Sequence, residues 1–97
     1  MSSEIKIKSD IFYETITILK QVNINLNYSI KKIKVEGNRL SNTWDSKSGN
    51  DFSVKNKKII SNMELLSDGM EDLVVALNKI NLEYEETDRL ASSKMGS

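Results

Sequence analysis

The chain contains no cysteine, no histidine and no proline, and each absence removes a class of function. Without cysteine there is no disulfide framework and no thiolate chemistry. Without histidine the commonest general base and the commonest zinc ligand are both missing. Without proline nothing forbids long uninterrupted helices. Charge of one sign is lacking too: Lys+Arg 14 balances Asp+Glu 14, whereas nucleic-acid binding normally needs a basic excess to displace counterions. No run approaches membrane-spanning length, and no apolar stretch follows Met1-Ser2-Ser3-Glu4, so no cleaved signal peptide is expected. Glu83, Glu85, Glu86 and Asp88 could offer paired carboxylates or a hard-metal site. No histidine backs them, however, and no apolar pocket is evident to perturb them. The sequence therefore predicts a protein that is not an enzyme, with no catalytic residue, no cofactor or metal, no nucleic acid and no small-molecule substrate.

What is present is helical periodicity on both sides of a single break. At 97 residues and 11.0 kDa the chain is expected to form one domain over residues 1–97. In the first half Phe12, Ile16, Leu19, Leu26, Ile30, Ile33, Leu40 and Trp44 recur at spacings of four and three, with Asn23 and Gly37 where the pattern lapses. After Trp44-Asp45-Ser46-Lys47-Ser48-Gly49 the register resumes with Phe52, Ile59, Met63, Leu66, Met70, Leu73, Leu77, Ile80 and Tyr84, interrupted by Asn56. Such spacing lays one apolar stripe along a helix. The prediction is all-α: helix 1 over about 10–43, capped by Ser9 or Asp10, a turn over about 44–50, and helix 2 over about 51–91, capped by Ser48 or Asn50. Gly49 permits the turn, and the Trp44 ring seals the end of the core. Two long helices with a short loop fold back as an antiparallel hairpin. Ile5-Lys6-Ile7-Lys8 alternates, but too briefly to count as a sheet element.

Further apolar residues lie off the stripe, at Ile18, Val22, Ile24, Tyr28 and Val35 and at Ile60, Leu65, Val74, Val75 and Leu82. One hairpin has a small core, so a partner covering this surface, in a four-helix bundle, is the simplest expectation. The candidate interface residues are Phe12, Ile18, Val22, Leu26, Ile33 and Leu40 in the first segment. In the second they are Phe52, Ile59, Met63, Leu66, Met70, Leu73, Leu77 and Ile80. Lys31, Lys32, Lys34, Arg39, Lys47, Lys55, Lys57 and Lys58 crowd toward the turn, and Glu83, Glu85, Glu86, Asp88, Glu4, Asp10 and Glu14 toward the termini. Two copies packed head to tail set unlike charges together, a preference that selects orientation more than it adds affinity.

A helical hairpin of this length with a tryptophan in its turn resembles the WXG family of small proteins linked to type VII secretion. Trp44 stands where the family's Trp-x-Gly tryptophan would be, and Phe52 fits the aromatic that often opens its second helix. Tyr84-Glu85-Glu86-Thr87-Asp88 matches the family's Tyr-x-x-x-Asp/Glu export signal, so Tyr84 and Asp88 are the candidate signal residues. Ser46 occupies the place of the family's glycine, and Gly49 takes over part of that role. The departure points toward a divergent, WXG-like branch, such as the small helical partners of LXG toxins. The resemblance implies synthesis in the cytoplasm and export without a cleaved signal peptide by the ATP-driven type VII secretion machinery of a Gram-positive bacterium. It implies as partner a second copy in a head-to-tail homodimer, a related helical hairpin, or an LXG-type effector. In the family's dimers the tryptophan turn of one protomer lies near the tyrosine motif of the other. The residues alone leave open a non-secreted coiled-coil adaptor that assembles through its apolar stripe.

Overall fold

The computed structural model describes the backbone of residues 3–44 and 46–96 and the side chains of 8–44 and 46–91. It is an antiparallel helical hairpin of α1 (Ser3–Thr43) and α2 (Lys47–Gly96). α1 starts well before the expected Asp10, so Ile5-Lys6-Ile7-Lys8 is helical; four alternating residues, with no strand among the described residues to pair with, continue the helix. α1 closes through Thr43 Oγ1, which donates to the Leu40 carbonyl (2.9 Å), and the Trp44 amide, which donates to the Ser41 carbonyl (3.3 Å). The α2 start also differs from expectation, because the cap is Ser46 rather than Ser48 or Asn50. Its carbonyl accepts the first intrahelical bond from the Asn50 amide (3.2 Å) and its Oγ accepts the Gly49 amide (3.3 Å). A short hydroxyl at this position satisfies an amide that the first turn leaves without a helical partner. Ser46→Ala is expected to cost about 1 kcal/mol of stability, read as a lowered urea midpoint with an unchanged slope.

The packing divides into two compact units: a terminal unit of Met1–Gln21 with Glu71–Ser97, and a turn unit of Val22–Met70. Each holds two buried aliphatic side chains among the described residues, Ile16 and Val74 in the first, Ile30 and Ile60 in the second. Each also holds buried polar groups. In the turn unit Ser67 Oγ donates to Asn23 Oδ1 (2.8 Å) and accepts from Asn27 Nδ2 (3.0 Å), and Gly37 lies directly against the Asn56 side chain. In the terminal unit Ser9 Oγ donates to Glu85 Oε1 (2.7 Å), and Asn81, Asp88 and Ser9 are buried.

Those polar layers explain why the α2 register departs from the apolar stripe read in its sequence. Ile60, Ser67, Val74 and Asn81 face α1, and Ile59, Leu66, Leu73 and Ile80 are exposed. Ile60 and Val74, expected on the flank, are core. Turning Leu66 inward in place of Ser67 would set Asn23 against an aliphatic chain and remove its short bond from the Ser67 hydroxyl, leaving only the long one from Asn27 (3.4 Å); losing a partner on burial costs about 1–3 kcal/mol. Polar residues of α1 thus select polar residues of α2, and the neighbouring leucines are left outside. On α1 the expected stripe holds as far as Gly37, with Phe12, Ile16, Leu19, Asn23, Leu26, Ile30, Ile33 and Gly37 buried or half-buried, but its last members, Leu40 and Trp44, are exposed.

Candidate functional site

At the turn, Trp44 lies against Phe52, ring centroids 6.0 Å apart and tilted by 34°. Gly49 sits under it: a Cβ there would meet the Trp44 carbonyl oxygen at 2.5 Å and its ring at 3.1 Å. Gly49 lies within the first turn of α2, and no glycine among the described residues has a positive φ. It is needed for this close approach rather than for turn flexibility. Trp44 remains 40% exposed, so the ring covers the glycine and still offers a face to solvent instead of sealing the core. Trp44, Ser46 and Gly49 therefore form one local constellation of ring, cap and contact surface.

Tyr84 and Asp88 lie on one face of α2, but that face points at α1. The Tyr84 ring stands 5.9 Å from Phe12, tilted by 44°, and is 43% exposed, whereas Asp88 is only 5% exposed. The expected pairing of an aromatic plate with an adjacent surface carboxylate is thus half present: the ring is accessible at its edge and the carboxylate is covered. Beside them Glu85 receives Ser9 and, more distantly, Asn81 Nδ2 (3.5 Å). The Glu85 carboxylate, through hydrogen-bonding and charge toward the Tyr13 phenol, raises the Tyr13 pKa above its ordinary value of 10.0. A raised pKa means that the folded state holds the proton more tightly. The stabilisation is complete below the ordinary tyrosine pKa and is lost as pH rises through the higher folded value. An ultraviolet phenolate titration should find one tyrosine ionising above the others, and Tyr13→Phe should remove that step and lessen the alkaline loss of stability. Glu86 is bound by Arg89 through two hydrogen bonds (2.7 and 3.1 Å), which lower the Glu86 pKa; both side chains are solvent-exposed and hold each other on the outer surface.

The two flanks of the hairpin differ in character. In the turn unit Lys34 and Glu64 meet at 3.5 Å on one flank, where Asn38, Ser41, Lys57 and Ser61 line the same hollow. In the terminal unit the Tyr13 phenol lies near the Glu85 carboxylate. Helical spacing puts part of the exposed aliphatic surface on the other side of each seam, Val22, Ile59 and Leu66 in the turn unit and Ile11, Ile18, Leu73 and Ile80 in the terminal unit, while Ile24, Val35, Val54, Leu65, Val75, Leu82 and Leu90 are exposed on other faces. A shallow apolar groove lined by Lys8, Ile11, Phe12, Thr15 and Leu77 lies in the terminal unit. Of the sequence-derived interface candidates, Phe12, Leu26, Ile33, Phe52, Met63, Met70 and Leu77 are half-buried. Ile18, Val22, Leu40, Ile59, Leu66, Leu73 and Ile80 are exposed. Sequence reasoning did not single out Asn81 or Ser67 and took Ser9 for a cap, whereas it lies within α1 and bonds to Glu85; the signal available was their recurrence at seven-residue steps from Ile60, Val74 and Ile16.

Charge is divided between the units. Residues 22–70 carry eight Lys+Arg and five Asp+Glu, a net of +3, and the terminal unit carries six and nine, a net of −3. Among the described residues no helix is long and apolar enough to cross a membrane. No family model, characterised protein or solved structure matches the chain.

Proposed function

We propose that this protein is a WXG-like helical partner of type VII secretion, exported itself or escorting a larger LXG-type effector, and that it works as a protein-binding module without chemistry of its own. The observation that carries the need for a partner is the imbalance of its apolar surface. Among the described residues four aliphatic side chains are buried while nineteen large apolar or aromatic ones are exposed. A second hairpin laid head to tail sets the net +3 unit of each copy against the net −3 unit of the other and covers exposed aliphatics such as Leu66 in the turn unit and Leu73 in the terminal unit. The export part of the reading is supported by the Trp44–Gly49–Phe52 turn and by the Tyr84/Asp88 spacing.

The test is secretion from a Gram-positive host that carries the type VII machinery. Tyr84→Ala and Asp88→Asn are each expected to lower the exported fraction at least about tenfold while circular dichroism shows unchanged helicity. Wild-type export of both variants would overturn the reading. Burial of Asp88 favours a second reading, in which Tyr84 and Asp88 are seam residues of an intracellular coiled-coil adaptor; both substitutions then change stability and leave location unaltered.

A further inference from the structure

Resting on the proposed pairing with a second copy, we infer that Asn23, Asn27 and Ser67 are positioning residues for assembly. Their hydrogen-bonded layer fixes the rotation of α2 in the turn unit and so keeps the Ile59 and Leu66 row outside, where the second copy covers it. The two rows of α2 stand one residue apart, about 100° around the helix axis. Ile60 and Ser67 form the row that faces α1 and are buried, whereas Ile59 and Leu66 are more than half exposed. By apolar content alone the outer row makes the better seam, since it offers Leu66 where the inner row offers Ser67. Two features of the turn unit oppose that preference.

The first is the layer itself. Ser67 Oγ donates to Asn23 Oδ1 (2.8 Å) and accepts from Asn27 Nδ2 (3.0 Å), and Asn27 Nδ2 also donates to the Asn23 carbonyl (2.9 Å). Two asparagines one turn apart on α1 thus grip one side chain that can donate and accept together, and a leucine can do neither. Ser67 is buried and Asn23 half-buried, so water does not readily replace the bond between them. The second feature is a slot. Asn56, within about 20° of Ser67 around α2, lies against Gly37, where any Cβ would collide with the Asn56 amide. Grip and slot select the same face of α2. Polar layers between helices set register at a cost in stability. Here the cost is the burial of Leu66 that a lone hairpin forgoes and that pairing restores.

Asn23→Leu with Ser67→Ala removes the layer and leaves every exposed apolar residue in place. α2 is then expected to turn Ile59 and Leu66 toward α1. Thermal melts followed by Trp44 fluorescence at nanomolar concentration read the change in single hairpins. In this background Ile59→Ala should lower the midpoint more than Ile60→Ala, the reverse of their order with the layer intact. Sedimentation equilibrium should find pairing weakened at least about tenfold, although the hairpin itself melts no lower. Asn23→Leu alone, which keeps Ser67 bonded to Asn27, is the milder variant and should move both readings the same way by less. An unreversed order in both backgrounds overturns the control of register, and a reversed order with undiminished pairing overturns its role in assembly. A wild-type protein that stays a single hairpin at high micromolar concentration overturns instead the pairing on which that role rests.

Discussion

On the proposed head-to-tail pairing, Leu73→Glu is expected to separate the pair into single hairpins while leaving each hairpin helical. Leu73 is 46% exposed and lies beside the seam, not in it. A carboxylate there therefore stays solvated in an isolated hairpin. In a head-to-tail pair it is carried into the apolar contact, where an unpaired charge costs several kcal/mol. Each copy contributes one such charge, so a weakening of at least about 100-fold in Kd is expected. Leu65→Glu is the matched control. Leu65 is more exposed still and points away from both the seam and the Leu66 flank, so its charge should change the association constant only slightly. Sedimentation equilibrium on the two variants distinguishes a specific face from general stickiness: equal weakening by both substitutions contradicts the face.

Ile60→Ala is expected to destabilise the fold strongly, and Ile59→Ala weakly. Ile60 is 8% exposed and Ile59 is 53% exposed. The turn unit has only Ile30 and Ile60 as buried aliphatics among its described residues, so deleting one leaves a cavity that the remaining side chains cannot fill. Large-to-small changes of this kind cost about 2–5 kcal/mol, a large share of the stability of a small domain. At several degrees per kcal/mol, the melting temperature should fall by roughly 10–20 °C. Ile59→Ala, measured where the protein is a single hairpin, should fall within about 1 kcal/mol of wild type. The apolar stripe of the sequence predicts the reverse order, with Ile59 inside, so thermal melts of this adjacent pair decide the register directly.

That reversal marks where the sequence was legible and where it was not. The α1 seam could be read because its apolar positions dominate one face, and the lapses at Asn23 and Gly37 fall on the same face. In α2 two registers are both apolar: one runs through Ile60 and Val74, the other through Ile59, Leu66, Leu73 and Ile80. Periodicity alone favours the more apolar row. The deciding terms are pairwise and long-range, Ser67 with Asn23 and Asn27, Asn56 with Gly37, Ser9 with Glu85. No single segment contains them. The turn was legible as a turn, but the role of Ser46 was not, because a serine where a glycine is expected reads as a loss until its Oγ is seen to cap α2. Tyr84 and Asp88 could be placed on one face from their spacing. Which way that face points depends on the register, and hence on the same polar pairs.

The most direct test of the account is the solution mass of the wild-type protein, measured by light scattering across a concentration series from nanomolar to high micromolar. The account predicts a mass of twice 11.0 kDa over most of that range, falling toward a single hairpin only at the lowest concentrations. A mass of 11.0 kDa at every concentration contradicts self-assembly.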